Sequence, residues 1–212
     1  MTTLKIIPEE TPDINKVATC KLLDKSALSR NVFTAKECNR IIKMGRTWER
    51  IDAEIQTKSS EAETEKNNNY RNCKMYGPPV DNTESWLWIG EKISAAIYNF
   101  NAKDGWKFNL VGMAERPMLM EYTELEGKYD YHIDLGPSQL ASTRKIGFSL
   151  FLNDEYEGGK FQLKSGRDDY IPPEQETGNL LFFPAYLLHR VTLVTKGTRS
   201  VVVGWIHGNS FI

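Results

Sequence analysis

The segment Tyr129-Asp130-Tyr131-His132-Ile133-Asp134 organises the C-terminal half of this 212-residue chain. Its aromatic and β-branched residues favour an extended strand, in which successive side chains alternate between the two faces of a sheet. A spacing of two therefore puts His132 and Asp134 on the same face of one predicted strand. We infer that this imidazole and this carboxylate can bind one ion.

A second histidine, His189, lies at the end of the apolar run 180–191, and Arg199 follows it by ten residues at the start of an apolar, strand-like run. Together with His132 and Asp134, His189 completes a set of two imidazoles and one carboxylate. Such a set on rigid strands is typical of a non-haem Fe(II) centre with open coordination positions. The third histidine, His207, has no matching partner, and we interpret it as a hydrogen-bonded residue of the fold.

The ordered set of these three ligands and Arg199 resembles the 2-oxoglutarate and Fe(II)-dependent dioxygenases, in their prolyl-4-hydroxylase-like (PKHD-type hydroxylase) branch. Between them the chain carries further matching segments, Phe151-Leu152-Asn153, Glu157-Gly158-Gly159 and residues 178–184. The resemblance covers residues 32–208 and is strongest from residue 120 onward.

This resemblance implies an enzyme that uses O2 and 2-oxoglutarate to hydroxylate a substrate, with release of succinate and CO2. It implies that His132, Asp134 and His189 hold Fe(2+), and that ascorbate serves as the reductant. It also implies that Arg199 is catalytic through binding the distal carboxylate of the cosubstrate. A guanidinium matches that carboxylate with two parallel hydrogen bonds, which a lysine cannot reproduce.

Three aromatic positions refine the resemblance. Tyr122 matches a family tyrosine that hydrogen-bonds the cosubstrate carboxylate, and Trp205 matches an aromatic residue that lines the pocket. Both residues also suit a plain role in the core. Phe151 stands where the animal oxygen-sensing prolyl hydroxylases carry a second cosubstrate tyrosine, so oxygen sensing is not predicted.

Composition excludes several classes of partner. The formal net charge of -1 gives no overall field that would attract nucleic acid or an anionic membrane. No apolar run reaches the roughly 18 residues of a membrane span, and the N-terminal residues lack the apolar core of a signal peptide. The three cysteines, Cys20, Cys38 and Cys73, form no metal or redox motif and indicate reduced thiols. We therefore predict a cytoplasmic protein.

The substrate prediction rests on residues 51–76. Residues 51–69 are polar and lack a hydrophobic period, which indicates either a solvated loop or a lid over the substrate. The segment that follows carries Tyr70, Arg71 and Tyr76, which could grip an extended chain. We predict a polypeptide substrate, hydroxylated at a prolyl residue. The alternatives are a hydroxylase of a free amino acid or other metabolite and, in another class, a non-oxidative cupin-like metal-binding module, which would not need Arg199 or Tyr122.

The chain is predicted to form one domain over residues 1–212. Residues 1–104 should give an edge strand over 17–23, helices over 35–44 and 85–101, and the lid loop. Thr34 and Glu37 form a capping box for the first helix, and the second carries an apolar stripe from Leu87 to Phe100. Residues 105–212 contain eight short β-rich runs separated by turn residues, over 106–111, 117–123, 129–134, 146–152, 160–164, 179–183, 189–194 and 199–206. Together with the resemblance, this pattern predicts a mainly β (α+β) fold: a double-stranded β-helix (jelly roll) of two antiparallel sheets, with the helices packed on one sheet.

A parity argument links His189 to Arg199. A two-residue hairpin turn at Lys196-Gly197 would point these two side chains to opposite faces of one sheet. For both to face the metal, we predict a three-residue loop at residues 196–198, with a positive φ at Gly197 or a neighbour and a bulge.

Overall fold

A computed structural model describes residues 22, 24–51, 55–56, 64–65, 69–103, 105–166 and 168–209. Residues 55–56, 64–65 and 165 are described by their backbone alone. The edge strand predicted over residues 17–23 lies outside the described residues except for residue 22, which is in a turn. Most of the predicted lid loop lies outside them too. No helix in the described part of the chain is both long and apolar enough to cross a membrane.

The described residues contain two α-helices, close to their predicted bounds. Helix α1 spans Ala35–Gly45 and α2 spans Glu84–Lys103. The capping box of α1 is confirmed, because the amide of Glu37 donates to the Thr34 hydroxyl at 3.2 Å and the Thr34 amide donates to the Glu37 carboxylate at 2.8 Å. The predicted stripe of α2 is wrong at Leu87, which is 47% exposed. The buried stripe instead begins at Trp86, whose indole donates to the carbonyl of Pro79.

The described residues also contain sixteen β-strands, most of them short. They are β1 (Ala27–Ser29), β2 (Glu49–Ile51), β3 (Ile55–Gln56), β4 (Thr64–Glu65), β5 (Arg71–Asn72), β6 (Lys74–Gly77), β7 (Leu110–Gly112), β8 (Met118–Thr123), β9 (Lys128–His132), β10 (Arg144–Phe151), β11 (Tyr156–Gly158), β12 (Phe161–Ser165), β13 (Asp168–Tyr170), β14 (Leu180–Pro184), β15 (His189–Val191) and β16 (Val194–Gly208).

The described strands form two main antiparallel sheets. The major sheet follows the order β1-β14-β10-β16-β8-β6-β2, and β7 and β11 also pair with β16. The minor sheet follows the order β13-β12-β15-β9-β5, and β3 pairs with β4 within the predicted lid segment. Four strands from before residue 104 enter the main sheets, β1, β2 and β6 in the major one and β5 in the minor one, whereas the sequence predicted only an edge strand over residues 17–23 in that half. The two sheets confirm the predicted double-stranded β-helix.

Alternation along the major sheet separates two apolar layers. Phe148, Leu150 and Phe182 pack with buried residues of α1 and α2 on the outer face. Phe151 and Phe183 point the other way and pack with Phe161, Leu163 and Val191 of the minor sheet. Both faces of the central strands are therefore buried, so these strands are continuous apolar runs in the sequence. The candidate site lies in the layer between the two sheets.

The predicted loop between His189 and Arg199 is wrong. Strand β15 ends at Val191 in the minor sheet, and β16 begins at Val194 in the major sheet, so the chain crosses between sheets instead of turning back within one. Gly197 does have a positive φ of 77°, but it lies within β16 and pairs with Tyr156. The side chains of His189 and Arg199 can both face the space between the sheets, because His189 lies on the minor sheet and Arg199 on the major sheet.

Candidate active site

His132 and His189 are set side by side by strand pairing. They face each other in the register of β9 and β15, with their ring centres 4.1 Å apart. The ring of Tyr129 stacks on His132 with its centre at 3.5 Å, and the ring of Phe161 stacks on His189 at 5.2 Å. These contacts hold both imidazoles between aromatic surfaces and restrict their rotation.

Backbone carbonyls fix the tautomer of both histidines. Nδ1 of His132 lies 2.8 Å from the carbonyl oxygen of Asp130, and Nδ1 of His189 lies 2.8 Å from that of Leu187. A carbonyl can only accept, so each Nδ1 carries the proton and each Nε2 presents its lone pair. Burial, and then the neighbouring His189, hold the pKa of His132 well below its usual value. His132 is therefore a neutral imidazole, the form that binds a metal.

Asp134 joins the histidines by a route different from the predicted one. Strand β9 ends at His132, so Asp134 lies beyond the strand and does not share its face by alternation. Its amide donates to the carbonyl of Ala185 at 2.9 Å. A Cβ atom on Gly147 would lie 2.6 Å from Oδ2 of Asp134, so the missing side chain leaves room for this carboxylate.

The three side chains suit a divalent metal ion. One ligand atom from each of His132, Asp134 and His189 lies within 4.8 Å of the others. Nε2 of His132 lies 3.7 Å from Oδ1 of Asp134, and Nε2 of His189 lies 3.7 Å from Oδ2. These distances are too long for hydrogen bonds. An ion held at about 2.1 Å would space neighbouring ligand atoms by about 3.0 to 3.4 Å, so a small contraction completes the site.

Arg199 brings a buried positive charge to the same cavity. The residue is 1% exposed, and its guanidinium carbon lies 5.2 Å from the ring centre of Tyr122 and 5.6 Å from that of Phe151. Within the described residues, Nε, Nη1 and Nη2 of Arg199 have no hydrogen-bond partner. A buried guanidinium that lacks acceptors is costly, so this group is suited to receive an anion. A carboxylate of 2-oxoglutarate fits this requirement.

Tyr122 adds a neutral donor beside Arg199. The two residues are directly paired between β8 and β16. Burial raises the pKa of the Tyr122 phenol, so its hydroxyl keeps its proton. Its hydrogen-bond partner is the sulfur of Met120 at 3.6 Å, a weak acceptor that a carboxylate could replace.

These groups line one cavity of about 870 Å³. The three candidate ligands, Arg199, Tyr122 and Trp205 all contribute to its wall, as do two of the three predicted substrate residues, Tyr70 and Arg71. Tyr76 does not, because Met75 takes the inward position on β6 and Tyr76 packs on the helix side. Among the predicted substrate residues, Tyr76 thus lies outside the wall of this cavity. His207 is also outside the ligand group and contacts Thr143 and Glu115.

Sequence reasoning missed the support around Asp134. Arg144 donates to the Asp134 carbonyl at 3.1 Å, forms a two-pronged ion pair with Glu115, and lies 3.5 Å from the ring centre of Trp205. Glu115 precedes Arg144 by 29 residues, and no local pattern joins them. Arg144 begins β10 and Trp205 lies on the paired strand β16, so the two residues meet only in the folded sheet.

Comparison with known proteins agrees with the geometry. The sequence pattern of the 2OG-Fe(II) oxygenase superfamily matches residues 117–207. A PKHD-type hydroxylase of Synechococcus sp. (strain CC9311) is 38% identical over 121 residues, which cover 56% of this chain and 52% of that protein. The chain thus spans about half the length of this curated relative.

Solved structures share the fold at low sequence identity. A prolyl hydroxylase from Trichoplax adhaerens, in complex with a peptide fragment of hypoxia inducible factor, has a TM-score of 0.68 at 15% identity, covering 87% of this chain and 84% of that one. HygX from Streptomyces hygroscopicus, with nickel and 2-oxoglutarate bound, has a TM-score of 0.60 at 12% identity, covering 89% and 85%. The three candidate ligands and Arg199 all lie inside the segment that matches the 2OG-Fe(II) oxygenase superfamily, and part of the chain is similar in sequence to a PKHD-type hydroxylase.

Proposed function

We propose that this protein is an Fe(II)- and 2-oxoglutarate-dependent dioxygenase that hydroxylates a prolyl residue of a polypeptide. The observation that carries the proposal is the buried guanidinium of Arg199, which lacks an acceptor among the described residues and lies in the same cavity as the three ligands. A non-oxidative metal-binding module would have no use for this costly group. The relatives support the reaction class, since the matched proteins are named hydroxylases.

Each residue has a defined task in this proposal. His132 and His189 offer lone pairs at Nε2, and Asp134 supplies one negative charge, so the site suits Fe(II) with positions left open. Arg199 and Tyr122 bind the distal carboxylate of 2-oxoglutarate and thereby orient its other end toward the ligands. Bound iron and cosubstrate supply the oxidising chemistry with O2, while the protein supplies geometry and a shielded cavity. Ascorbate would act from solution as a reductant.

Several features of the cavity support a polypeptide substrate. Its volume of about 870 Å³ is near the upper end for ligand sites, which leaves space beside a cosubstrate. Ile133 and Leu188 line it and are 48% and 37% exposed, so the rim offers apolar contact. Tyr70 and Arg71 form part of its wall. The Trichoplax prolyl hydroxylase binds a peptide on the same fold.

The first test of the reaction is succinate formation from 2-oxoglutarate by purified protein. We expect turnover with Fe(II) and O2, and none in His132→Ala, Asp134→Ala or His189→Ala. Because all three changes remove polar groups that the empty site must accommodate, each variant should remain folded by circular dichroism. Turnover that persists in a triple variant, or that requires Zn(2+) instead of Fe(II), would overturn the site.

The second test separates a polypeptide from a metabolite. Proline-containing peptides are compared with matched peptides that carry alanine in place of proline, and with free proline and other amino acids. We expect stimulated succinate formation and one added oxygen atom in the proline peptides alone. Stimulation and oxygenation of a free amino acid, with no effect of peptides, would assign the enzyme to small-molecule hydroxylation.

The proposal extends to organisation and location. We propose that residues 1–212 act as one catalytic domain, since strands from both halves pair in the two sheets that enclose the site. A cytoplasmic location accords with the free thiols of Cys38 and Cys73.

A further inference from the structure

Asp134 differs from the other two candidate ligands in how it is held. His132 and His189 sit within paired strands, so the ladder fixes their backbones. Asp134 lies two residues beyond the end of β9, where no strand pairing reaches it. Its position must therefore depend on contacts from other segments.

Arg144, at the start of β10, supplies one such contact. Its Nη1 donates to the carbonyl oxygen of Asp134 at 3.1 Å. Its Nε and Nη2 donate to the two carboxylate oxygens of Glu115 at 2.7 and 2.5 Å. The face of the guanidinium lies 3.5 Å from the ring centre of Trp205. Glu115 thus fixes the plane of the guanidinium, and the ring of Trp205 limits how far the guanidinium can move perpendicular to that plane.

The hydrogen bonds of Arg144 are largely shielded from water, and their geometry requires an arginine. The side chains of Arg144 and Glu115 are 18% and 20% exposed, so water competes weakly for their hydrogen bonds. A lysine could approach Glu115, but it could not hold two carboxylate oxygens and a carbonyl in one plane. Gly147, further along β10, leaves the space that the Asp134 carboxylate occupies. Strand β10 therefore contacts Asp134 at its backbone and at its side chain.

We propose that Arg144, fixed by Glu115 and Trp205, is a positioning residue that holds Asp134 in place as a metal ligand. The inference rests on the proposed metal site, and it assigns a role to a residue that would bind neither metal nor cosubstrate. Groups that orient a ligand in this way typically change metal affinity by about 10- to 100-fold when removed. We expect a loss of this size when Arg144 loses its donors.

The test is a titration of apoprotein with Co(2+), whose visible absorption reports the coordination geometry without turnover. Arg144→Met keeps an apolar stem against Trp205 and removes every donor. The double variant Arg144→Met/Glu115→Gln also removes the carboxylate charge that the single change leaves with His207 as its remaining partner. Both should bind Co(2+) about 10- to 100-fold more weakly than wild type, with an altered spectrum when saturated. If either fails to fold, Arg144→Lys is titrated instead, with the same expected direction.

Arg190→Met is the matched control. Arg190 also pairs with a carboxylate, that of Asp169, and lies 4.6 Å from an aromatic ring centre, that of Tyr131, but those contacts are away from the cavity. The Co(2+) affinity and the absorption spectrum of Arg190→Met should equal those of wild type. Unchanged Co(2+) binding in the Arg144 variants, including a case in which only the Michaelis constant for a peptide rises, would overturn the inference. An equal loss in Arg190→Met would overturn it as well. Wild-type protein that binds no Co(2+) would instead overturn the metal site itself.

Discussion

Replacing Arg199 by methionine should stabilise the empty protein while abolishing its response to 2-oxoglutarate. Methionine has a similar length and can pack between the rings of Tyr122 and Phe151 that now flank the guanidinium. The change removes a buried cation whose three nitrogen atoms lack acceptors among the described residues. Apolar replacement of buried charged groups is often neutral or stabilising by about 1–4 kcal/mol. We therefore expect a higher free energy of unfolding for the empty variant.

The assay is thermal unfolding of wild type and of Arg199→Met, each with and without 2-oxoglutarate, in the presence of metal and the absence of O2. For a chain of this size, 1 kcal/mol shifts the melting temperature by about 2–4 °C. Cosubstrate at about 100 times its dissociation constant should stabilise wild type by about 2.7 kcal/mol and the variant by almost nothing. Lys196→Met, on the same strand but with a 71% exposed side chain, should change neither quantity. A destabilised Arg199→Met variant that still responds to 2-oxoglutarate would refute this reasoning.

Three further changes test other parts of the structure. Gly147→Ala should weaken metal binding by about tenfold or more in a Co(2+) titration, because its Cβ would meet the Asp134 carboxylate at 2.6 Å, whereas Gly90→Ala on α2 should not. Hydrogen bonds from Lys92 and Thr34 lower the pKa of Glu37 to about 2, so Glu37 should stabilise the fold at neutral pH and lose this effect as pH falls from about 4.5 to about 2. The difference in urea midpoint between wild type and Glu37→Gln should shrink over that range, and a constant difference would contradict this pKa. Tyr76→Phe should leave cosubstrate turnover and peptide affinity at wild-type values in steady-state kinetics, because its ring lies on the helix side of β6.

The regular elements of the fold were predictable because their signals are local. The capping box at Thr34 and Glu37 placed the start of α1, and the apolar runs around Phe148 and Phe182 placed central strands. The short strands β2, β5 and β6 were not predictable. Each has two to four residues and is extended because a neighbouring strand provides its hydrogen bonds: β8 for β6, β9 for β5, and β6 in turn for β2.

The sequence predicted which residues come together in the candidate site, but not how the fold brings them together. His132 and Asp134 do converge, yet alternation along one strand is not the reason, since the strand ends between them. His189 and Arg199 share a cavity because the chain crosses from the minor to the major sheet after Val191. No turn residue in the sequence predicts this crossing. The Glu115 to Arg144 pair depends on tertiary proximity alone.

The most direct test of the central claim is an anaerobic titration of the protein with Fe(II) and 2-oxoglutarate, followed by visible absorption. Chelation of one ion by the keto acid gives a charge-transfer band that neither component gives alone. We expect this band in wild-type protein, its loss in His189→Ala, and a much weaker cosubstrate affinity in Arg199→Met. A wild-type protein that forms no such band, or a His189→Ala variant that forms it at wild-type affinity, would contradict the assignment of this site to Fe(II) and 2-oxoglutarate.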